Sequence, residues 1–398
     1  MVKVAILCHY PPSRFQAAGI TFTPAKIQAE LNRRAFETVE GSFLDSLCTF
    51  PDLEISVVTF SKGVQARQTV KLAENCQLTV IPPPRLSGMP VAWLPRLGIM
   101  RSATKQLRPD VVLGLRNLEG YGLFAIFCEC PSIVIPEEFF SGIPCPVYFR
   151  PVMWIGALTE RICLRLAPNV VAISGHVERT LRKMTKAKIY RIPNIAEKAF
   201  FTLQRDIPGT EILYVGRISP EKGLLELLYA LAPIQMEFAG STIRIIGGAT
   251  GPAGESYLQS CQRYAEEHLP SLQVVFAGWK DGAEIALLHR KARMLVMPSH
   301  ARYETMGVVI AEALAAGTPV IGYNFGPIPD IVTDGENGLL VRVGDIPALT
   351  EAIRLLCSDE ALWTKLSSAA RESAERFSSA KVGSALHNAL CEVAKGRN

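Results

Sequence analysis

Residues 296–323 read VMPSHARYETMGVVIAEALAAGTPVIGY. An apolar run ends at Pro298, a polar loop follows, a helix-forming segment opens near Gly307, and TPVIGY resumes as a short β-branched run. Strand, loop, helix and strand in that order form a βαβ unit, whose two strands lie parallel. The unit also carries two acids spaced E-x7-E, Glu304 just before the apolar helix and Glu312 inside it. One explanation is a helix-start Glu complementing the dipole and a second Glu facing solvent. The other is that both acids line a site.

Working outward, the same alternation runs through the chain. In the first half VKVAILC, EISVVTF, QLTVIPPP, DVVLGL, SIVIP and NVVAIS are short apolar runs separated by helix-like stretches. A polar, Pro-containing segment, IAEKAFFTLQRDIPGT, reads as a linker. A second series follows: EILYVG, STIRIIGG, LQVVFAG, RMLVMPS, TPVIGY and NGLLVRV, with EKGLLELLYALAPI and ESYLQSCQRYAEEHL at helical periodicity between them. Continuous apolar strands between helices indicate parallel sheets covered on both faces. The expected architecture is therefore α/β, two facing doubly wound, Rossmann-like domains with ligands in the crevice at the strand C-terminal ends. The expected boundaries are 1–200 and 201–379, with a last helix over 380–398 packing back on the first domain.

The length of 398 residues favours two domains, and 48% hydrophobic with 20% charged residues fits a globular chain with a large core. The start, MVKVAILCHYPP, reads as a first strand, its apolar run being too short for a signal peptide. The most apolar windows, such as GYGLFAIFCECPSIVIP, are broken by Glu129, Cys130 and Pro131 before they could span a bilayer. A cytoplasmic protein is expected. Ten scattered cysteines without a CxxC pair read as buried free thiols. No HExxH, HxxxH or D-x-D occurs, so no metal site is expected. Residues 1–200 carry 24 Lys and Arg against 15 Asp and Glu, whereas residues 201–398 carry 18 against 22. The basic first half, with WLPRLGIMRSATKQLR (93–108) and RTLRKMTKAKIYR (179–191), motivates peripheral contact with anionic lipid on the inner face of the membrane. No nucleic-acid partner is expected.

Four pieces of the second half converge on one chemistry. YVGRISPEKG places Gly216, Arg217 and Lys222 on one strand-to-helix turn, suited to an oxyanion such as a diphosphate. VVFAGWKDG ends a strand at Gly278 and Trp279, where a planar base could approach the backbone. The loop with Glu304 leads into a helix start whose backbone N–H groups suit phosphate oxygens. FGPIPDIVTDGENGLLV reads as a Gly/Pro turn and hairpin-like segment closing the sheet.

The order G-R-x4-K-G, then PS-x4-E-T-x-G-x4-E-A-x-A-x-G-x-P-V-I, then G-x2-P-D-I-V-x-D-G-x-N-G-L-L-V resembles the donor domain of retaining glycosyltransferases with the GT-B fold, glycosyltransferase family 4 or glycosyl transferases group 1. The resemblance is close over roughly 211–345 and looser in the first half. It implies transfer of a sugar from a nucleoside-diphosphate sugar to an acceptor hydroxyl, without metal; UDP is the usual nucleotide for this resemblance, with GDP and ADP left open. The nucleotide sugar is then a co-substrate and no cofactor is implied. Carried onto this sequence, it implies that Glu304 touches the sugar and Glu312 the ribose. It implies that Arg217 and Lys222 hold the diphosphate with the backbone of Thr305, Met306, Gly307 and Val308. Gly216 and Trp279, read above from their strand ends, join the candidate donor-binding residues.

The sequence departs from the family in three places. Where the family carries a Gly-Gly loop after the first strand, YPPSRFQAAGITFTP offers only Gly19. Where a His follows the strand SIVIP, this chain has PEEFFSG, so Glu137 or Glu138 stands in its place. PNG before the hinge reads Pro193, Asn194, Ile195. These changes leave the acceptor open among a saccharide, a lipid-linked sugar and a small metabolite. Two further classes stay open: a nucleotide-sugar epimerase or hydrolase of the same fold, and a non-catalytic nucleotide-sugar binding subunit.

Overall fold

The computed structural model describes residues 1–9, 19–20, 38–84, 93–115, 120–136, 151–203 and 209–396. They form two compact units, Met1–Ile195 with Ser379–Asn398, and Ala196–Ser378.

The first unit holds eight strands: β1 (Val2–Leu7), β2 (Leu53–Phe60), β3 (Gln68–Ala73), β4 (Cys76–Ile81), β5 (Val111–Leu115), β6 (Ser132–Ile135), β7 (Asn169–Ala172) and β8 (Lys188–Arg191). Their order is β3-β4-β2-β1-β5-β6-β7-β8. β5 is buried along its whole length and β2 nearly so, as strands covered on both faces must be. The expectation of a wholly parallel sheet needs correction at one edge, where β3 runs antiparallel to β4. Only Glu74 and Asn75 separate the two strands, and a two-residue turn cannot make a parallel crossover. The last helix, Ser379–Lys395, packs on the helix Thr38–Leu47. The Ser46 hydroxyl donates to the Ser379 carbonyl at 2.8 Å, and Lys188 pairs with Glu392.

The second unit holds β9 (Glu211–Val215), β10 (Thr242–Ile246), β11 (Gln273–Gly278), β12 (Ala292–Met297), β13 (Val320–Tyr323) and β14 (Gly338–Val341), in the order β11-β10-β9-β12-β13-β14. Every neighbouring pair is parallel. All six runs expected as strands here are strands. The hairpin-like reading of FGPIPDIVTDGENGLLV is wrong: β13 and β14 are parallel, joined through the short helix Ile328–Ile331. Leu224, Leu227, Leu228 and Leu231 of the helix Leu224–Leu231 pack with Ile243, Ile245, Met294 and Val296 of the sheet. Trp363 anchors the helix Glu360–Ala374, its Nε1 donating to the Arg293 carbonyl at 2.7 Å.

The strand order fixes where a ligand can sit. From β9 the chain lays β10 and β11 on one side, then returns to lay β12, β13 and β14 on the other. The crevice beyond the carboxyl ends of β9 and β12 is therefore the switch point of this sheet. In the first unit the switch point lies between β1 and β5, and residues 10–18 and 116–119, which follow those strands, are outside the described residues. Among the described residues no helix is long and apolar enough to cross a membrane. The basic stretches 93–108 and 179–191 fall on the helices Trp93–Leu107 and Gly175–Met184 and on β8.

The closeness of β13 and β14 is testable. A Cβ added to Gly338 would lie 2.3 Å from the Val320 carbonyl oxygen, which belongs to the sheet backbone and cannot turn aside. Overpacking of this kind costs about 1–3 kcal/mol. Gly338→Ala should therefore melt several degrees below the parent in a calorimetric scan. Coincident melting would mean that the strands do not approach so closely.

Candidate functional site

Two loops border the switch point of the second unit, and glycine lets them touch. After β9 the chain makes the short turn Pro220–Lys222, ending at Gly223 with φ 76°. A Cβ on Gly223 would meet the Pro298 carbonyl oxygen at 2.1 Å, so only glycine brings this turn against the loop that follows β12. The His300 amide then donates to the Glu221 carbonyl at 3.0 Å, bonding one loop to the other. From below, the buried Tyr214 hydroxyl lies 3.1 Å from the Arg217 carbonyl and 3.4 Å from that of Lys222. A single β9 side chain thus supports both ends of the cationic turn.

Across this seam Lys222 and Glu304 form an ion pair, their side chains only 10% and 14% exposed. Beside it lies Tyr303, with the Arg217 guanidinium 5.0 Å and the Lys222 ammonium 5.7 Å from its ring centre. The ring is held by its hydroxyl, which donates to the Glu221 carboxylate. Burial would raise the Glu221 pKa, but the Tyr303 and Ser219 hydroxyls and the Arg217 charge outweigh it and hold the carboxyl below its usual range. Burial, and then the Glu221 carboxylate, push the Tyr303 phenol well above its ordinary value. The phenol therefore stays a donor, and its face remains a fixed plate for two cations.

Gly307, φ 79°, starts the helix Val308–Ala315, and no side chain caps it. A Cβ added to Gly307 would meet the Ile310 side chain at 3.3 Å and lie 4.0 Å from Glu304 Oε1. Thr305 is half-buried, Met306 is buried, and Val308 opens the first turn. The helix is apolar around most of its circumference and is buried accordingly. Glu312 lies within it, only 8% exposed. The charge acting on Glu312 is the Glu197 carboxylate, so among the predicted acids it stands in a different environment from Glu304.

A second cluster forms at the ends of β9, β10 and β11. Gly216 donates to the Ile246 carbonyl at 2.9 Å, Gly247 to that of Gly278 at 2.8 Å, and Ile218 to that of Gly248 at 2.9 Å. A Cβ on Gly247 would lie 1.9 Å from the Gly216 oxygen, and one on Gly248 would lie 2.4 Å from Trp279 Nε1. The indole lies against a backbone stripped of side chains, half of its surface open to solvent.

Of the residues singled out from sequence, Arg217, Lys222, Glu304 and Gly307 come together at the seam, whereas Gly216 and Trp279 belong to the glycine cluster. Gly19 has φ 78° in the first unit with nothing within 4 Å of an added Cβ. Glu137 and Glu138 lie outside the described residues. Sequence reasoning passed over Tyr214, Glu221, Tyr303, Gly247 and Gly248. Glu221 sits inside the GRISPEKG motif between the two cations, and the Gly-Gly pair closes STIRIIGG, so both signals were present.

Comparison with known proteins gives a consistent family. The family model described as glycosyl transferases group 1 matches residues 196–373. Glycogen synthase from Mycobacterium tuberculosis is 36% identical over 295 residues, which cover 70% of this chain and 66% of the relative, just under two thirds of its length. Among solved structures, sucrose-phosphate synthase from Thermosynechococcus elongatus superposes with TM-score 0.73 at 18% identity, covering 100% of both chains. Anabaena HepE, solved in complex with UDP and glucose, gives 0.68 at 17% identity, covering 98% of this chain and 100% of its own. At these identities the likeness establishes the GT-B fold.

Burial, and then the Glu197 carboxylate, raise the Glu312 pKa to about 8. An unfolded glutamate titrates near ~4.3. Between these values the unfolded chain releases a proton that the folded chain keeps, so rising pH favours unfolding by up to ~1.4 kcal/mol per pH unit. Glutamine has no such proton. Glu312→Gln should gain stability relative to the parent from pH 5 to pH 8, read as diverging urea midpoints. Parallel profiles would show that the folded carboxyl is ionised like any other.

Proposed function

We propose, because the chain belongs to the glycosyl transferases group 1, that it moves a sugar from a nucleoside-diphosphate sugar to an acceptor hydroxyl. The observation that carries this reading is the Lys222–Glu304 pair at the β9/β12 switch point, with Arg217 stacked beside it on Tyr303. In the reaction the bond between the anomeric carbon and the diphosphate oxygen breaks. A bond to the acceptor oxygen forms on the same face of the sugar, and the acceptor proton leaves with the released diphosphate. Negative charge grows on that diphosphate, and Arg217, Lys222 and the amides from Thr305 to Val308 are the groups we assign to it. Charges fixed in advance in a half-dry site stabilise such a change without reorganising.

Glu304 is assigned to the sugar, where its carboxylate favours an oxocarbenium-like carbon. Glu312 is assigned to the ribose hydroxyls, and Trp279 with the glycine cluster to the base. The donor we propose is a UDP-sugar, on the resemblance of the donor motifs. A metal-independent course rests on the absence of D-x-D in the sequence and on two cations available for the diphosphate.

The assignment separates binding from chemistry. A hydrogen bond to a charged group is worth ~1.5–3 kcal/mol, so Lys222→Ala and Arg217→Ala should each weaken UDP binding roughly 10- to 150-fold. Glu304→Gln frees Lys222 from its partner, so UDP should bind no more weakly than to the parent, while turnover falls by orders of magnitude. Glu312→Gln should lie between. Calorimetry with UDP beside initial rates distinguishes the patterns. Loss of UDP binding in Glu304→Gln as deep as in Lys222→Ala would move Glu304 away from the sugar.

Chelation should leave turnover within a few-fold of the untreated enzyme. Complete loss, restored only by magnesium or manganese, would contradict the roles given to Arg217 and Lys222.

A further inference from the structure

His387 and Cys391 stand one turn apart on the last helix, Ser379–Lys395, an H-x3-C pair facing the turn that precedes β2. From that turn Asp52 completes a cluster. His387 Nε2 lies 2.9 Å and 3.1 Å from the two Asp52 oxygens and 3.6 Å from Cys391 Sγ. One ligand atom from each of the three residues lies within 4.8 Å of the others. Phe50 stacks on the imidazole, centroids 4.3 Å apart and planes 16° from parallel, so the ring direction is set by packing.

We propose that Asp52, His387 and Cys391 bind one zinc-class divalent ion that fastens the last helix to the first sheet. The chemistry of the set selects the metal class: thiolate and imidazole are poor ligands for magnesium or calcium and good ones for zinc. The two separations from the imidazole are near those of a zinc site. Tetrahedral bonds of about 2.05 Å to nitrogen and about 2.3 Å to sulfur put those two atoms about 3.5 Å apart, close to the separation already present. Asp52 needs to draw back by roughly 0.4 Å to reach the corresponding nitrogen–oxygen spacing. A thiolate and a carboxylate neutralise the ion; binding releases the thiol proton to solvent, and the Nε2 proton that faces Asp52 leaves for solvent or, by a change of tautomer, for Nδ1. The imidazole is largely covered, whereas the Asp52 side chain is 54% exposed and leaves an entry path and a fourth position for water.

As an ordinary surface contact, His387 and Asp52 would be worth little. A metal clamp would instead make the seating of this helix depend on the ion. The site belongs to the first unit, whereas the Lys222–Glu304 seam belongs to the second. Chelation should therefore lower melting temperature without lowering turnover below the melting range, and the two assignments fail separately.

Cobalt(II) makes the test visible. The full chain, reduced, stripped with chelator and desalted, is titrated with cobalt under anaerobic conditions. A thiolate-to-cobalt absorption band saturating at one ion per chain is expected, displaced by zinc. His387→Ala and Cys391→Ser should each lose the band, whereas Cys261→Ser, altered within the second unit, should keep it. Asp52→Asn, a change at a half-exposed side chain, should fold and lose the zinc-induced rise in melting temperature. No band in the parent, a band that survives His387→Ala or Cys391→Ser in folded protein, or a zinc response intact in Asp52→Asn would each overturn the proposal.

Discussion

Lys222 reaches Glu304 because the backbones of two strand ends touch at Gly223 and the Pro298 carbonyl. That contact is the constraint on which the seam depends, since a single methyl at Gly223 would drive the loops after β9 and β12 apart. The pair spans 82 residues of sequence, and the Tyr303–Glu221 bond beside it spans another 82. Removing one partner of such a covered pair typically costs ~3–5 kcal/mol, yet an apolar pair of equal volume often serves stability as well. Charge at this seam is accounted for by the diphosphate-binding role proposed above.

The same fold gives its two conspicuous acids opposite surroundings. Glu304 sits in a loop with a cation in contact, whereas Glu312 is carried into a buried helix with another carboxylate as its charged neighbour. The E-x7-E spacing alone does not distinguish these environments. The difference comes from the start of the helix at Gly307, which leaves one acid outside and takes the other in.

What could be read in advance follows burial. The strands β9 to β14 are mostly apolar runs, and a strand covered on both faces announces itself by composition. β3 and β8 escaped notice because QTVKLA and KIYR are half exposed and carry charge at the sheet edges. The turn from Asp334 to Gly338 looks like a hairpin because its glycines and acids are turn formers, and only the partner of β14 reveals a parallel pair. Arg217, Lys222 and Glu304 were legible because each lies in a short local motif. Tyr303 and Glu221 matter through a contact between distant loops, and Gly247 through a close approach to Gly216. Glu221 and the Gly247–Gly248 pair are visible in their local motifs, but the partners that give them their roles lie in distant segments.

The chain leaves its first unit at Ile195 and comes back at Ser379. This return has a consequence for biosynthesis. The contact between Asp52 and His387 joins residues 335 apart, so the first sheet emerges from the ribosome long before the helix that covers one side of it. At roughly 5–20 residues per second, the intervening unit occupies the ribosome for about 10–40 seconds. During that interval the second unit can fold on its own largely local β/α contacts, while Phe50 and its neighbours wait uncovered. In a chain of this design the order of completion is the reverse of the order of synthesis.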